Sequence, residues 1–381
     1  MWSLGATYLE VFTQSTPWAV KAIHELHVLM AKQTPPHGLK HLDEQYKELT
    51  LLLSYQPAAR PTASDVVAFF KSGLAPHLEA RAPKKQQEGK RGPKDTYGCT
   101  QFQPGLPEGE SEESMEARRK RLTDIYCRSG RQGEETAEVG QLMAATFYLQ
   151  RRQLNAMPSP TIVNLKSQWP YLFSPKGLIG HFQLLTDMQV LSALEAAMED
   201  CGNMIVDLFK TRPTNAAVKE VLNNHNHSED LPYKVLKLVM AHFNEDVGGL
   251  IVQAEGCATV ADMESSNLPV TPRLILLGES QEHHQRWMIS MEGCVLCEGG
   301  RLGTFTTGLG TLFTTYYTFN LQYQDEAAST LEFVQRCLVG INPERGTKAS
   351  GHKKRKAPSQ VSSFLRKLMD FRYRVAISLF S

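Results

Sequence analysis

Two cysteines three positions apart, Cys294 and Cys297, come closest to a spacing that could do chemistry. Such a pair can contribute to a tetrahedral zinc site or act in thiol–disulfide exchange. Zinc needs four ligands, and no second CxxC or HxxxH follows at the spacing of a zinc finger. The pair lies in a β-like run and not before a helix, so its side chains should point to opposite faces of a strand. We therefore interpret both cysteines as structural.

Histidines occur in two groups that could bind a metal: His283 with His284, and His225 with His227 near Glu229 and Asp230. Loop histidines are mostly solvated, so we expect no metal site and no cofactor. The glycines of residues 299–310 lack the GK[ST] ending of a P-loop and the GxGxxG order of a dinucleotide site. No GxSxG, HExxH or kinase signature occurs. We predict a protein that is not an enzyme and has no catalytic residue.

A short basic run is the segment with the clearest motif meaning: Lys353, Lys354, Arg355 and Lys356. It is typical of a nuclear-import signal or a polyanion-binding patch, and a solvated connector is the alternative. The helix predicted after it combines basic residues with an apolar stripe formed by Phe364, Leu365, Leu368 and Phe371. This stripe could dock on a protein partner or on the chain's own body. Association with a membrane surface is less favoured.

Charge is distributed unevenly along the 381 residues. Residues 342–381 hold ten Lys and Arg against two acidic residues, a formal charge of +8, which leaves −7 for residues 1–341 because the total is +1. A basic tail on an acidic body indicates an anionic partner. The other basic cluster, Arg118–Arg121, belongs to a predicted helix that begins at Ser111, with Glu116 paired to Lys120; we interpret it as a solvated face, with nucleic-acid contact as the alternative.

The composition, 41% hydrophobic and 8% aromatic, is sufficient for a folded core. Seven scattered cysteines are typical of a reducing compartment. No apolar run is long enough to span a bilayer, and the first residues lack the pattern of a signal peptide. We expect a soluble intracellular protein, nuclear or cytoplasmic.

Helical periodicity and turn residues divide the chain into five parts. The predicted order is an N-terminal helical segment (1–78), a Pro/Gly/Lys-rich linker (79–110), a helical domain (111–245), an α+β lobe (246–341) and a basic tail with a terminal amphipathic helix (342–381). Short β-like runs at residues 250–252, 273–277, 287–291 and 294–297 define the lobe, with Glu292-Gly293 as a hairpin turn. The predicted fold class is mainly α.

The most distinctive stretch, Ser159–Asp187, contains two Ser-Pro pairs around the segment Trp169–Phe173, which we call the aromatic corner. Ser159-Pro160 and Ser174-Pro175 each predict a helix start, and Pro170 predicts a helix end at Trp169. Asp187 is predicted to cap the next helix, which should run to about Lys210. Aromatic residues between amphipathic helices are usually core, and stacking on nucleic acid is the alternative.

Several phrases resemble one family of fish proteins, many of them labelled sterile alpha motif domain-containing protein 3-like. They are Tyr97–Cys99, Leu106–Glu110, Gln168–Phe173, His181–Thr186 and Leu331–Gln335. The resemblance spans roughly residues 95–341 and implies no activity or catalytic residue. No sterile alpha motif, a compact bundle of five helices, is predicted in residues 1–78.

These observations predict a non-enzymatic, intracellular interaction or regulatory protein with a protein partner. The alternative is a nuclear protein that binds nucleic acid through residues 342–374. An enzyme with a dispersed site is the third hypothesis. The sequence does not indicate an oligomeric state.

Overall fold

The computed structural model describes residues 102–223, 230–278, 286–300, 303–343, 347–349 and 353–378, together with residue 39. Within 353–378, side chains are described from Lys356 to Arg372. The chain forms two compact units, Met1–Gly89 and Lys90–Ser381, and all described residues except Leu39 belong to the second. The predicted helical segment 1–78 and most of the linker 79–110 therefore lie outside the described residues.

Helices make up most of the second unit. In chain order they are α1 (Glu112–Ser129), α2 (Ala137–Ala145), α3 (Phe147–Leu154), α4 (Ile162–Gln168), α5 (Pro175–Thr186), α6 (Val190–Ala197), α7 (Asn203–Thr211), α8 (Ala216–Asn223), α9 (Leu231–Phe243), α10 (Val260–Ser265), α11 (Phe305–Thr318), α12 (Ala328–Phe333) and α13 (Lys353–Ser378). Short 3-10 turns cover Gly130–Glu135, Pro170–Phe173 and Val247–Gly249, and π-helical turns cover Met198–Gly202 and Val334–Val339.

Four strands form one sheet in the order β1 (Ile251–Ala254), β2 (Arg273–Leu277), β3 (Arg286–Met291) and β4 (Cys294–Glu298). β1 is parallel to β2, whereas β2–β3 and β3–β4 are antiparallel. The predicted hairpin turn joins β3 to β4, with Glu292 and Gly293 both at positive φ, as a tight two-residue turn requires. The prediction of a mainly α fold with a small α+β lobe is confirmed.

The sheet is covered on both faces, so all five residues of β2 are buried. One face contributes Leu274 and Leu276 to the main hydrophobic core, and the other contributes Ile275 and Leu277 to a smaller cluster with Met263 of α10. This alternation follows from the period of two along a strand.

The central element of the core is α11, which packs against α5, α6, α9, β2 and β3. Nearly all of its residues are buried, including Thr311, Thr314 and Thr315. Each of these hydroxyls donates to a carbonyl three or four residues earlier in the helix, which permits burial of a polar side chain without an unpaired group. One hydrophobic cluster consequently includes residues of both the 111–245 and the 246–341 segments.

Two helix starts agree with prediction. Ser111 caps α1 with Glu112 and Glu113 in the first turn, and Ser174 caps α5 with Pro175 at its first position. Each serine hydroxyl accepts from the backbone N–H three residues later, which needs no partner beyond the first helical turn.

Two predicted caps are wrong. α4 begins at Ile162 with Thr161 as its cap, so Ser159-Pro160 precedes the helix. Asp187 ends α5 in a left-handed conformation with φ 59 and does not start the next helix. The next helix begins at Val190, with Gln189 as the preceding residue, and a π-helical turn joins α6 to α7. Asp is common as an N-cap and also tolerates the left-handed region at a helix end better than most residues do. The sequence pattern alone therefore does not distinguish a helix start from a helix end at Asp187.

The basic run does not form a separate connector. Lys353–Lys356 belongs to the first turn of α13, which continues past Pro358 to Ser378. Pro358 lies inside this helix, where it cannot donate the backbone hydrogen bond that another residue would make to the carbonyl four residues earlier. The terminal helix is therefore longer than the apolar stripe alone predicts.

Candidate functional site

A pocket of about 370 Å³ lies between α2 and α5; we call it the α2–α5 pocket. Its apolar wall consists of Val139, Gly140, Met143, Ala144, Gly180 and Leu184, and its polar groups come from Glu134, Gln150, Tyr171, Lys176, His181, Gln183 and Asp187. A Cβ atom built at Gly140 or Gly180 meets nothing within 4 Å. The absence of side chains at these two positions therefore leaves space between the helices.

The aromatic corner positions α5 beside this space. Tyr171 is 2% exposed, and its hydroxyl donates to the carbonyl of Gly130 at 3.1 Å. Gly177, in the first turn of α5, lies so close to the Tyr171 carbonyl that a Cβ would collide with it. Gly133 makes the same close approach to the Tyr171 hydroxyl. These two glycines allow the turn Gly130–Glu135, the corner and α5 to pack in direct contact.

His181 lies in the pocket wall and is 2% exposed. Its Nδ1 lies 2.9 Å from Oε1 of Gln150. The Gln150 amide is oriented by its nitrogen, which donates to the carbonyl of Met143 at 2.7 Å and to the hydroxyl of Thr146 at 3.0 Å. Because Oε1 can only accept, Nδ1 of His181 carries the proton and Nε2 presents a lone pair.

Nε2 of His181 is buried and has no hydrogen-bond partner among the described residues. Burial, with a smaller contribution from the nearby guanidinium of Arg151, lowers the pKa of His181 well below 6.5. The ring is therefore neutral near pH 7 and is a poor general base, because a nitrogen with so low a pKa has a weak affinity for the proton it would have to accept. Nε2 is therefore able to accept a hydrogen bond from a donor that enters the pocket.

At the pocket rim, burial raises the pKa of Glu134, while a hydrogen bond from Ser174 opposes this shift. Lys176 Nζ donates to the backbone carbonyl of Glu134 at 3.0 Å and contacts the carboxylate of Glu135 at 3.3 Å. The rim therefore carries both charge signs. The residues that line the pocket include no serine or cysteine nucleophile.

The predicted polyanion patch is described only in part. Lys356 is exposed, whereas the side chains of Lys353, Lys354 and Arg355 lie outside the described residues. Lys348, counted with the basic tail, is 3% exposed: its Nζ donates to the carbonyl of Tyr316 at 3.0 Å and lies 4.7 Å from the centroid of the Tyr317 ring. Arg372 forms a two-pronged ion pair with Asp200 at 2.9 and 3.1 Å. Lys348 and Arg372 thus interact with other groups of the chain. The tail therefore presents fewer unpaired positive charges to an anionic partner than its formal charge indicates.

The apolar stripe of the terminal helix packs on the chain's own body, which was one of the two sequence-based alternatives. Phe364 is 1% exposed and stacks on Phe209 at 5.4 Å, and Leu368 is 4% exposed. Leu365 and Phe371 are partly buried against the same core. A partner could reach Phe364 and Leu368 only if α13 detached.

The other residues considered as candidates in the sequence are the cysteine pair, the histidines and the arginines of α1. Cys297 is buried in β4, and burial raises the pKa of its thiol to about 12, while Cys294 is half-buried. His225, His227, His283 and His284 lie outside the described residues. The arginines of α1 pair with carboxylates: Arg118 with Glu110, Arg119 with Glu116, and Arg121 with Glu138. The predicted Glu116–Lys120 pair is thus replaced by Glu116–Arg119.

Sequence reasoning missed the pocket itself, since His181 entered only as part of a resembling phrase. A usable signal was present: Gly177 and Gly180 lie one helical turn apart beside a histidine on the apolar side of α5. Its partner Gln150 lies 31 residues earlier, however, and no periodicity connects them.

Residues 115–174 match the family model described as the helical domain of sterile alpha motif domain-containing protein 3. The chain resembles these proteins. The matched segment runs from α1 through the aromatic corner to Ser174, and so includes the α2 wall of the pocket but not α5. No curated protein and no solved structure matches the chain. Within the part of the chain that the structure describes, no helix has the length and apolar character needed to cross a bilayer.

Proposed function

We propose that this chain is a non-enzymatic intracellular protein, nuclear or cytoplasmic, that binds a protein partner through the α2–α5 pocket. The observation that carries the proposal is a preformed, mostly apolar pocket with a buried hydrogen-bond acceptor in its wall. Such concave sites with a few placed polar groups are where proteins bind ligands. Protein interfaces concentrate their binding energy where one large side chain fills a dry pocket.

The proposed occupant is a tryptophan side chain of the partner. The pocket volume of about 370 Å³ is small for a ligand site and suits one large aromatic group. Tryptophan has an apolar ring and a single N–H that can only donate, and Nε2 of His181 is a lone pair that can only accept. An unpaired buried acceptor costs roughly 1–3 kcal/mol, so a donor that reaches it gains affinity.

Access to Nε2 requires a small movement of the wall, because the atom is covered in the empty pocket. We propose that Met143 supplies that movement, because it lines the pocket and its Sδ lies 4.0 Å from the side-chain nitrogen of Gln150, the partner of His181. An unbranched thioether side chain adapts its rotamer readily to a new neighbour.

The test uses the full chain labelled for NMR and two matched probes, N-acetyltryptophanamide and its 1-methylindole analogue. We expect resonances of α2 and α5 to shift on addition of the first probe and to respond much more weakly to the second, which lacks the N–H. Gly180→Leu fills the pocket where a Cβ has free space and should abolish binding. Ala196→Leu places the same side chain at an exposed position of α6 and should bind normally.

Binding of neither probe, or equal binding by the Gly180→Leu variant, would overturn the assignment of the pocket. Equal binding of the two probes would overturn the role of the N–H donor. Once the probes respond as expected, capture of a protein by the wild type and by Ala196→Leu, but not by Gly180→Leu, identifies the partner.

The second candidate function is nucleic-acid binding, favoured by the outer face of α13. Lys356, Arg366 and Lys367 are exposed there. Removing residues 342–381 is a poor test because it also removes Phe364 and Leu368 from the core. Reversing the three charges to Glu preserves the apolar stripe. Retention on DNA or RNA that weakens steeply with salt and disappears in this triple variant supports this function; no retention at low salt contradicts it.

A further inference from the structure

The outer edge of strand β4 faces α4 across a groove. β4 is the last strand of the sheet that the structure describes, so one of its edges has no neighbouring strand. The helical part contacts this edge at three points: the Ile162 N–H with the Glu292 carboxylate at 3.4 Å, Lys166 Nζ with the Val295 carbonyl at 3.0 Å, and Arg131 with Glu298 at 2.9 Å. α4 and the turn Gly130–Glu135 therefore run alongside β4, with long side chains across the space between them.

The backbone of Val295 is paired with side chains at this edge. Its N–H donates to the carboxylate of Glu264 at 3.0 Å, and its carbonyl accepts from Lys166 at 3.0 Å. Along an antiparallel strand, residues that bond to the neighbouring strand alternate with residues whose N–H and C=O point away from it. Val295, which lies opposite Ser290 in the ladder, is of the second kind. It therefore presents one donor and one acceptor where a further strand would pair.

Two cavities lie along the same edge. One of about 360 Å³ opens beside Cys294 at the start of β4, with Ile162 and Phe173 in its apolar wall. Another of about 590 Å³ lies against Glu298 at the end of the strand. Arg131 lines both cavities, so they follow one another along β4. We call the two cavities together the α4–β4 groove.

Positive charge is in excess around the groove. Arg131, Lys166 and Arg286 line it together with Glu264 and Glu298. Arg131 is paired with Glu298, whereas Lys166 and Arg286 each donate to a backbone carbonyl and form no ion pair with any described residue. A ligand that carries carboxylates complements these two cations.

We propose that the α4–β4 groove binds an extended acidic segment of a partner protein, which adds to the sheet as a strand beside β4. The backbone of this segment takes over the N–H and C=O of Val295 from Glu264 and Lys166. Each side-chain hydrogen bond is exchanged for a backbone one of similar net energy, so the exchange costs little. The freed ammonium of Lys166 then pairs with a carboxylate of the segment.

The groove also selects the side chains of the segment. Successive side chains of an extended chain point to opposite faces, so alternate residues can approach the apolar wall at Ile162 and Phe173. Strand addition gains affinity from main-chain hydrogen bonds and specificity from pockets for alternate side chains. The groove shares no lining residue with the α2–α5 pocket, so binding at the two surfaces is distinguishable.

The test titrates the full chain, labelled for NMR, with the peptide acetyl-Val-Glu-Val-Glu-Val-Glu-Val-amide. One control peptide has lysine in place of glutamate, and a second has methylated backbone nitrogens, which cannot donate hydrogen bonds. We expect the acidic peptide to shift the resonances of β4 and α4 and to show contacts between its backbone protons and Val295. Neither control peptide should bind.

Ser167→Trp fills the groove from an exposed position in its wall and should abolish binding. Asn164→Trp places the same side chain at an exposed position of α4 outside the groove and should bind as the wild type does. Arg286→Glu removes an exposed cation of the groove and should weaken binding of the acidic peptide. Thermal unfolding shows that each variant is folded, and Arg286→Glu decides the question if Ser167→Trp is not.

The proposal fails if the acidic peptide does not bind, or if a folded Ser167→Trp variant binds it as the wild type does. It also fails if the methylated peptide binds equally well, because strand addition needs backbone donors. Equal binding of the lysine peptide contradicts the acidic character of the partner. Shifts of β4 that depend on protein concentration without peptide would assign the edge to a second copy of the chain instead.

Discussion

Trp169 is both buried and hydrogen-bonded at the aromatic corner. The residue is 1% exposed, and its indole Nε1 donates to Oε1 of Gln153 at 2.5 Å. Tyr171 and Phe173 are buried beside it, with Phe173 against Phe319 at 5.6 Å. The interpretation of the corner as core therefore agrees with its burial, and the side chain offers no exposed surface on which a base could stack.

Trp169→Ala should lower the free energy of unfolding by about 3–5 kcal/mol, because it leaves a large cavity beside α3 and α4. Trp169→Phe retains much of the volume but loses the indole N–H, so we expect a smaller cost. Urea denaturation of both variants measures the difference. A cost below about 1 kcal/mol for the alanine variant is incompatible with a core role for this residue.

At the scale of elements, α12 is capped by a residue from another helix end. Its own preceding residue, Ala327, has no side chain able to cap. The buried carboxylate of Glu245 accepts from the backbone N–H of Ser329 at 2.8 Å and of Thr330 at 2.9 Å. Its negative charge also complements the positive end of the helix dipole. Glu245 therefore connects the end of α9 to the start of α12.

Glu245→Ala should destabilise the fold by about 2–4 kcal/mol, since it leaves two buried N–H groups of α12 without an acceptor. The neighbouring Asp246 is a matched control because it is exposed and caps only the short turn Val247–Gly249. We expect Asp246→Ala to cost about 1 kcal/mol or less. Chemical denaturation of the two variants should rank them in this order; equal costs would argue against the cap.

At the scale of the whole molecule, two histidines couple stability to pH. Burial lowers the pKa of His181 well below 6.5 and that of His242, beside Lys367, from 6.5 to about 4. Both pKa values are depressed in the folded state, so between pH 6.5 and 4 the unfolded chain binds more protons than the folded one. The stabilisation is complete above the unfolded pKa and is lost as pH falls towards the folded pKa.

We therefore expect the free energy of unfolding to fall on acidification from about pH 7 to pH 5, by roughly 1–2 kcal/mol for each histidine. Denaturation curves at several pH values measure the slope. His242→Gln should reduce that slope by its own share, while an unchanged slope in this variant would contradict the assignment.

Local signals in the sequence determined much of the framework. The fold class follows from helical and strand periodicity, and the caps Ser111 and Ser174 were identified correctly. So was the hairpin at Glu292-Gly293. The stripe of α13 was recognised as an apolar face, although the pattern could not tell what would cover it. These features depend on residues within one helical turn or one tight turn of each other, where sequence spacing and spatial distance agree.

Tertiary structure alone decided the candidate sites. Glu245 reaches Thr330 across 85 residues, Lys348 reaches Tyr316 across 32, and His181 reaches Gln150 across 31. Whether a histidine has a partner or a lysine faces solvent depends on how helices pack. Amphipathic periodicity specifies which face of a helix is buried but not which helix covers it, so these contacts become visible only in the folded chain.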